Sequence, residues 1–213
     1  MTRTLPRTLL VALAIATSIP AAARAQPAAA MRTAGDTPAD TLTPQEREVL
    51  SAAEQLATDA SQLIEQWITT QAITEDRVFA RLYFPIAKTD PQKYAAPYDA
   101  LAERDIVGPE DKTLARSATL LYAILTDLNG YVPAHNTRFA QPLSGNAAQD
   151  YINNRTKRML GDTTSLLAAR NEQHYLIQRT RLETGDVIYD LSVPVSVRGK
   201  HWGCVRIGYR RSE

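Results

Sequence analysis

The 213-residue chain has a single cysteine, Cys204, and only three histidines, His135, His174 and His201. One thiol cannot close an internal disulfide, so stability has to come from packing. The histidines have no cysteine or carboxylate at ligand spacing, which leaves no recognisable metal site. Also missing are a G-x-S-x-G nucleophile elbow, a Walker glycine loop and an H-E-x-x-H pair, so no catalytic constellation is legible. Pairing of Cys204 with one of the histidines would make a thiol–imidazole couple, yet a lone strand cysteine ordinarily serves as a small buried hydrophobe. The formal net charge is only +1 and no Lys/Arg-rich run stands out, so nucleic acid is not an expected partner.

Long hydrophobic runs are scarce as well. The apolar segment Leu9–Ile19 follows Arg3 and Arg7 and precedes Ala23-Arg24-Ala25, a small-x-small pattern. It is short for a bilayer anchor, so residues 1–25 read as a cleaved secretory signal with a periplasmic destination. No cysteine stands after it for lipid attachment, and no paired arginine precedes it for twin-arginine export. Removing Arg3, Arg7 and Arg24 from 24 basic residues against 23 acidic ones leaves the mature chain slightly acidic. With no second segment of spanning length, the mature chain is expected to be soluble.

Residues 26–42 are rich in Ala, Pro, Thr and Asp, with too little apolar surface to offset chain entropy, and read as a disordered leader. The leader ends at Thr43-Pro44-Gln45-Glu46, a capping box with proline at the first helical position. From there Val49, Leu50, Ala53, Leu56, Ala57, Ile64, Trp67 and Ile68 recur at helical spacing. This stripe serves either the sheet of its own domain or a second copy of the chain. A further helix is predicted over 75–83, completing an N-terminal helical region at 43–84. Short helices near 98–103 and 109–116 follow, then a buried strand over 118–127 and a tight turn at Asn129-Gly130. A helix is expected over 147–160, and strands over 175–182, 187–197 and 202–210. Glu183-Thr-Gly-Asp186 and Arg198-Gly-Lys200 read as hairpin turns.

Several motifs then carry a likeness. The segments NGYVPAHN, NRTKRMLGD, ETGDVIYDLSVPVSVRGKHWG and VRIGY, with YFPIAKTDPQKY upstream, resemble the extracytoplasmic sensor region of bacterial methyl-accepting chemotaxis proteins, a PAS-like or Cache-like domain. The likeness implies an α+β fold: a five-stranded antiparallel sheet with a long N-terminal helix and flanking helices, here over 85–213 packed with 43–84 as one unit. It further implies binding of a small-molecule signal without turnover. Receptors of that group continue into a membrane helix and a cytoplasmic coiled coil. This chain stops at Glu213, so a separate membrane receptor or kinase is the expected partner. Some relatives attach haem through C-x-x-C-H. Cys204 stands in no such motif, and no cofactor is expected.

In such a fold the segment after the second strand, with the helix that follows, closes one face of the sheet around a small cavity. Tyr131, His135 and Asn136 are therefore candidates to touch a ligand, against the plainer reading that they serve a turn. On a helix over 147–160, Arg155 and Arg158 would share a face and clamp an anionic ligand, unless they meet solvent or structural acids such as Asp162 or Asp190. Arg179 and Trp202 lie on strands and complete the candidate set. Strand alternation places Trp202, Cys204 and Arg206 on one side and Val205, Ile207 and Tyr209 on the other, without saying which side is lined. The competing expectation is a structural or interaction module whose pocket is degenerate.

Overall fold

The computed structural model describes residues 41–182 and 185–211. The expected signal peptide and most of the leader lie outside the described residues. Leu42, at the end of that leader, is buried against the core.

Helix α1 spans Pro44–Thr69 and opens on the capping box: the Thr43 side chain accepts from the Glu46 N–H, and the Glu46 carboxylate accepts from the Thr43 N–H at 2.9 Å. Its apolar stripe packs on strands β7 and β8 of the same chain, burying Val49, Leu56, Ile64 and Trp67. The second helix is a single turn, α2 at Glu75–Val78, followed by a small ribbon of β1 (Phe84–Ile86) and β2 (Lys93–Ala95). Helices α3 (Asp99–Asp105) and α4 (Val107–Leu114) lead into β3 (Leu120–Asp127). Beyond β4 (Tyr131–Val132) come α5 (Ala147–Asn153), β5 (Arg158–Met159) and α6 (Thr163–Ala169). Strands β6 (Leu176–Arg181), β7 (Val187–Val197) and β8 (Lys200–Tyr209) close the chain. Between β7 and β8, Arg198 and Gly199 both take positive φ, as a two-residue hairpin turn requires.

The fold is α+β, and its main antiparallel sheet has the order β3-β8-β7-β6, four strands rather than the expected five. The place beside β3 is closed by side chains instead. The outward N–H of Ala123 donates to Asn136 Oδ1 at 2.9 Å, and that of Leu125 donates to Glu110 Oε1 at 2.8 Å. Strand β4 pairs with β5 in a separate ribbon, Tyr131 opposite Met159 and Val132 opposite Arg158.

Two further expectations fail for identifiable reasons. The helix predicted over 147–160 stops at Asn153 because the chain turns extended at Asn154 and left-handed at Lys157. The Asn154 side chain is drawn outward, donating to the Gln141 carbonyl at 2.6 Å and accepting from the buried ammonium of Lys93. Arg155 and Arg158 are therefore not on one helical face. The alternation assumed for β8 also breaks. A bulge shifts the register between Val195–Gly203 and Ser196–His201, and Trp202 turns to the α1 side with Val205, Ile207 and Tyr209. Cys204 and Arg206 stay on the opposite face.

Candidate functional site

The face of the sheet away from α1 forms the floor of a cleft of about 540 Å3. Antiparallel register brings Tyr122 beside Gly208, Ile124 beside Arg206 and Thr126 beside Cys204, so the side chains of β3 and β8 share this face. Gly208 is required here: a Cβ would lie 2.2 Å from Cε1 of Tyr122, whose ring covers the bare backbone. The wall is the arm from α5 through β5 to α6. Gly130 fixes its end, since its positive φ and the Leu160 carbonyl 2.3 Å from an ideal Cβ leave no room for a side chain.

At the floor, Arg206 is 4% exposed, and each nitrogen of its guanidinium donates a hydrogen bond. It donates to Asp190 Oδ2 at 2.7 Å and to Ser165 Oγ at 2.8 Å. The Ser165 hydroxyl in turn donates to Asp162 Oδ2 at 2.6 Å, while Asp162 caps α6 by accepting from the Ser165 N–H. The Tyr122 hydroxyl donates to the same Asp190 carboxylate. Burial and that carboxylate raise the Tyr122 pKa well above the ordinary phenol value, so it remains a hydroxyl. Charge at the floor is thus balanced internally.

The wall differs. Arg158 stacks on Tyr151, Cζ 4.2 Å from the ring centroid, and donates to the Tyr151 carbonyl at 2.9 Å. It has no carboxylate partner among the described residues. Arg155 stacks on Phe139 at 5.1 Å and donates to the Ile152 carbonyl. The imidazole of His135 meets the same Phe139 edge-on, with centroids 5.0 Å apart. Burial, reinforced by Arg155 and Arg158, holds its pKa down at about 3, so it is neutral at physiological pH. Behind the wall, Lys93 donates to Asn154 and to the Thr156 carbonyl, tying the arm to the β1–β2 ribbon. Burial, then Arg158 and Lys157, lower the Lys93 pKa to about 8.

Of the seven candidates, the fold brings His135, Arg155 and Arg158 to this cleft. The other four lie elsewhere. Tyr131 points to the helical side, its hydroxyl donating to Asp99 at 2.9 Å beside the Tyr94 carbonyl. Asn136 is consumed in closing the β3 edge, with Nδ2 toward Asp111. Arg179 is exposed and pairs in register with Tyr189 on the α1 side, while its neighbour Thr180 lines the cleft. Trp202 packs edge-on to Tyr98 at 5.5 Å and donates to the Val78 carbonyl. Sequence reasoning missed Tyr122, Tyr151 and Ser165. Tyr122 was readable, because it alternates with Ile124 and Thr126 on one strand face.

A larger, more open groove of about 850 Å3 runs between the first turns of α1 and residues 116–120. Its polar groups are surface side chains, Arg47 for instance already donating to the Leu42 carbonyl. The smaller cleft, with its buried polar floor, is the better candidate.

Comparison with known proteins adds little. No protein-family model matches the chain, and no curated protein matches it. Among solved structures, an extracellular ligand binding receptor from Desulfohalobium retbaense DSM5692 is similar at 11% identity and a TM-score of 0.37. The match covers 79% of this chain and 26% of that one, so the chain spans about a quarter of the receptor's length. A likeness so distant carries no functional argument.

Proposed function

We propose that this chain is a periplasmic module that binds a small anionic molecule in the cleft and reports it to a separate membrane receptor or kinase, in the manner of chemoreceptor sensor domains and without turnover. The observation that carries the reading is Arg158: a cation held against Tyr151 at the wall of a concave site, with no acid of its own among the described residues. A guanidinium fork in that position suits a carboxylate. The motifs shared with chemoreceptor sensor regions, which include the arm carrying Arg155 and Arg158, support the same reading. A thermal-shift screen of organic acids, amino acids and amines tests it, because a ligand bound only by the native state raises the melting temperature by mass action. Stabilisation by acids, lost in Arg158→Ala, is the expected result. A flat screen leaves the alternative, an interaction module whose cleft is vestigial.

A further inference from the structure

Resting on that reading of the cleft, we propose that its ligand is a hydroxy acid, a carboxylate bearing a hydroxyl, that α-amino acids are rejected, and that His135 is the residue that reads the hydroxyl. Three observations converge. First, His135 lines the cleft, is 4% exposed, and makes no hydrogen bond to any described residue, its Nδ1 being wholly enclosed. A neutral imidazole presents one donor and one acceptor, and leaving them unmet in a buried site is unfavourable. Second, the carboxylates of the cleft already serve the protein's own groups, Asp190 wholly buried beneath the floor and Asp162 exposed at the rim. Asp190 accepts from Arg206 and Tyr122, and Asp162 accepts from Ser165 and caps α6. Third, among the described residues the cleft is lined by Arg158, Arg181 and Arg206 against Asp162, with Asp190 buried beneath, so its balance is positive.

An α-amino acid would add an ammonium to this positive site, where the nearest acids already accept from Arg206, Tyr122 and Ser165. Its three donors would also find no acceptor at His135 in the tautomer that carries the proton on the near nitrogen. A hydroxyl both donates and accepts, so it pairs with the imidazole in either tautomer and brings no charge. The ligand carboxylate is left to Arg158. Ile124, Val132 and Met159 supply apolar surface for the carbon skeleton.

Calorimetric titration of the purified chain with matched pairs tests the assignment: L-malate against L-aspartate, L-lactate against L-alanine, and L-phenyllactate against L-phenylalanine. The hydroxy acid of at least one pair is expected to bind tenfold or more tighter than its amino counterpart, with its affinity weakened roughly 10- to 30-fold in Arg158→Ala. His135→Phe should narrow that gap to about twofold by weakening the hydroxy acid alone. Should His135→Phe fail to fold, nitrogen NMR of the wild-type imidazole serves instead: the hydroxy acid should move the His135 ring signals, and unmoved signals overturn the proposal. Amino acids that bind as tightly or tighter, through Arg158, overturn the hydroxy-acid assignment while leaving an anion site in the cleft. Hydroxy-acid binding unaffected by Arg158→Ala places the ligand elsewhere and overturns it too. If no acid of any kind binds, the assignment and the anion-binding reading fall together.

Discussion

The two faces of the main sheet are built from the same four strands and do opposite things. Toward α1, Leu191, Val193, Val205, Ile207 and Trp202 meet Leu56, Ile64 and Trp67 in a continuous apolar layer. Its polar members, Tyr98 and Tyr83, are tied to the buried carboxylate of Asp127. Toward the cleft, positions one residue away along the same strands hold Arg206, Asp190 and Tyr122, which with Ser165 of α6 form a hydrogen-bonded network with cationic side chains above it. The lesson is one of division of labour. Burial of apolar area on the helical face supplies stability, and the other face is left polar and concave.

That contrast can be broken most forcefully at the floor of the cleft. Asp190→Ala strands the Arg206 guanidinium in a buried site and is expected to destabilise the fold by about 3–5 kcal/mol in urea unfolding. Replacing both partners, Asp190→Leu with Arg206→Met, should recover most of that loss, since two matched apolar groups leave no orphaned charge. Equal loss in the single and double variants would show that the pair itself, and not the stranded charge, matters. On the helical face, Ile64→Ala removes a fully buried side chain from α1 and should lose about 2–4 kcal/mol. Ligand affinity should stay within about twofold, because the sheet separates that site from the cleft.

Arg158→Ala should do the reverse. Melting temperature is expected to hold, while affinity for the best acid falls roughly 10- to 30-fold, the equivalent of about 1.5–2 kcal/mol for a charge-assisted contact at a partly exposed wall. Arg158→Lys should recover only part of it, as an ammonium lacks the planar fork. A lowered melt with unchanged affinity would make this arginine scaffold. Another expected effect concerns acid. With the His135 pKa at about 3 in the fold and near 6.5 when unfolded, the unfolded chain takes up a proton between those values that the folded chain refuses. Stability therefore falls as pH drops through that window, by up to about 1.4 kcal/mol per pH unit from this group. His135→Phe should remove that share, visible as a stability difference between variant and wild type that changes between pH 6.5 and pH 4.5. A difference that stays constant would mean the imidazole charges within the fold.

Local signals were legible in the sequence and long-range ones were not. The capping box at Thr43–Glu46 and the Arg198-Gly199 turn depend on neighbours a few residues away, and both were predicted. The end of α5 depends on Lys93, distant by 61 residues, so periodicity alone carried the helix too far. Trp202 was assigned to the wrong face because one bulged residue reverses the pleat, and nothing in its immediate sequence announces the bulge. The arginine arm was found for a reason that did not survive: Arg155 and Arg158 reach the cleft from an extended segment held by Lys93, not from one face of a helix.

The side chains of Asn136 and Glu110 on the outer rim of β3 have a consequence for how molecules meet. Another strand seeking to dock there would have to displace both from the Ala123 and Leu125 amides, so recruitment into a growing intermolecular sheet is discouraged at this rim and directed to β6. Burial raises the Glu110 pKa well above the carboxylate value, so the stability tied to its protonated form is present in acid and drains away as pH rises through that raised pKa. The oxygen that holds the Leu125 amide accepts in either protonation state, so the rim keeps its cover across that change while the fold around a buried, ionised Glu110 loses stability.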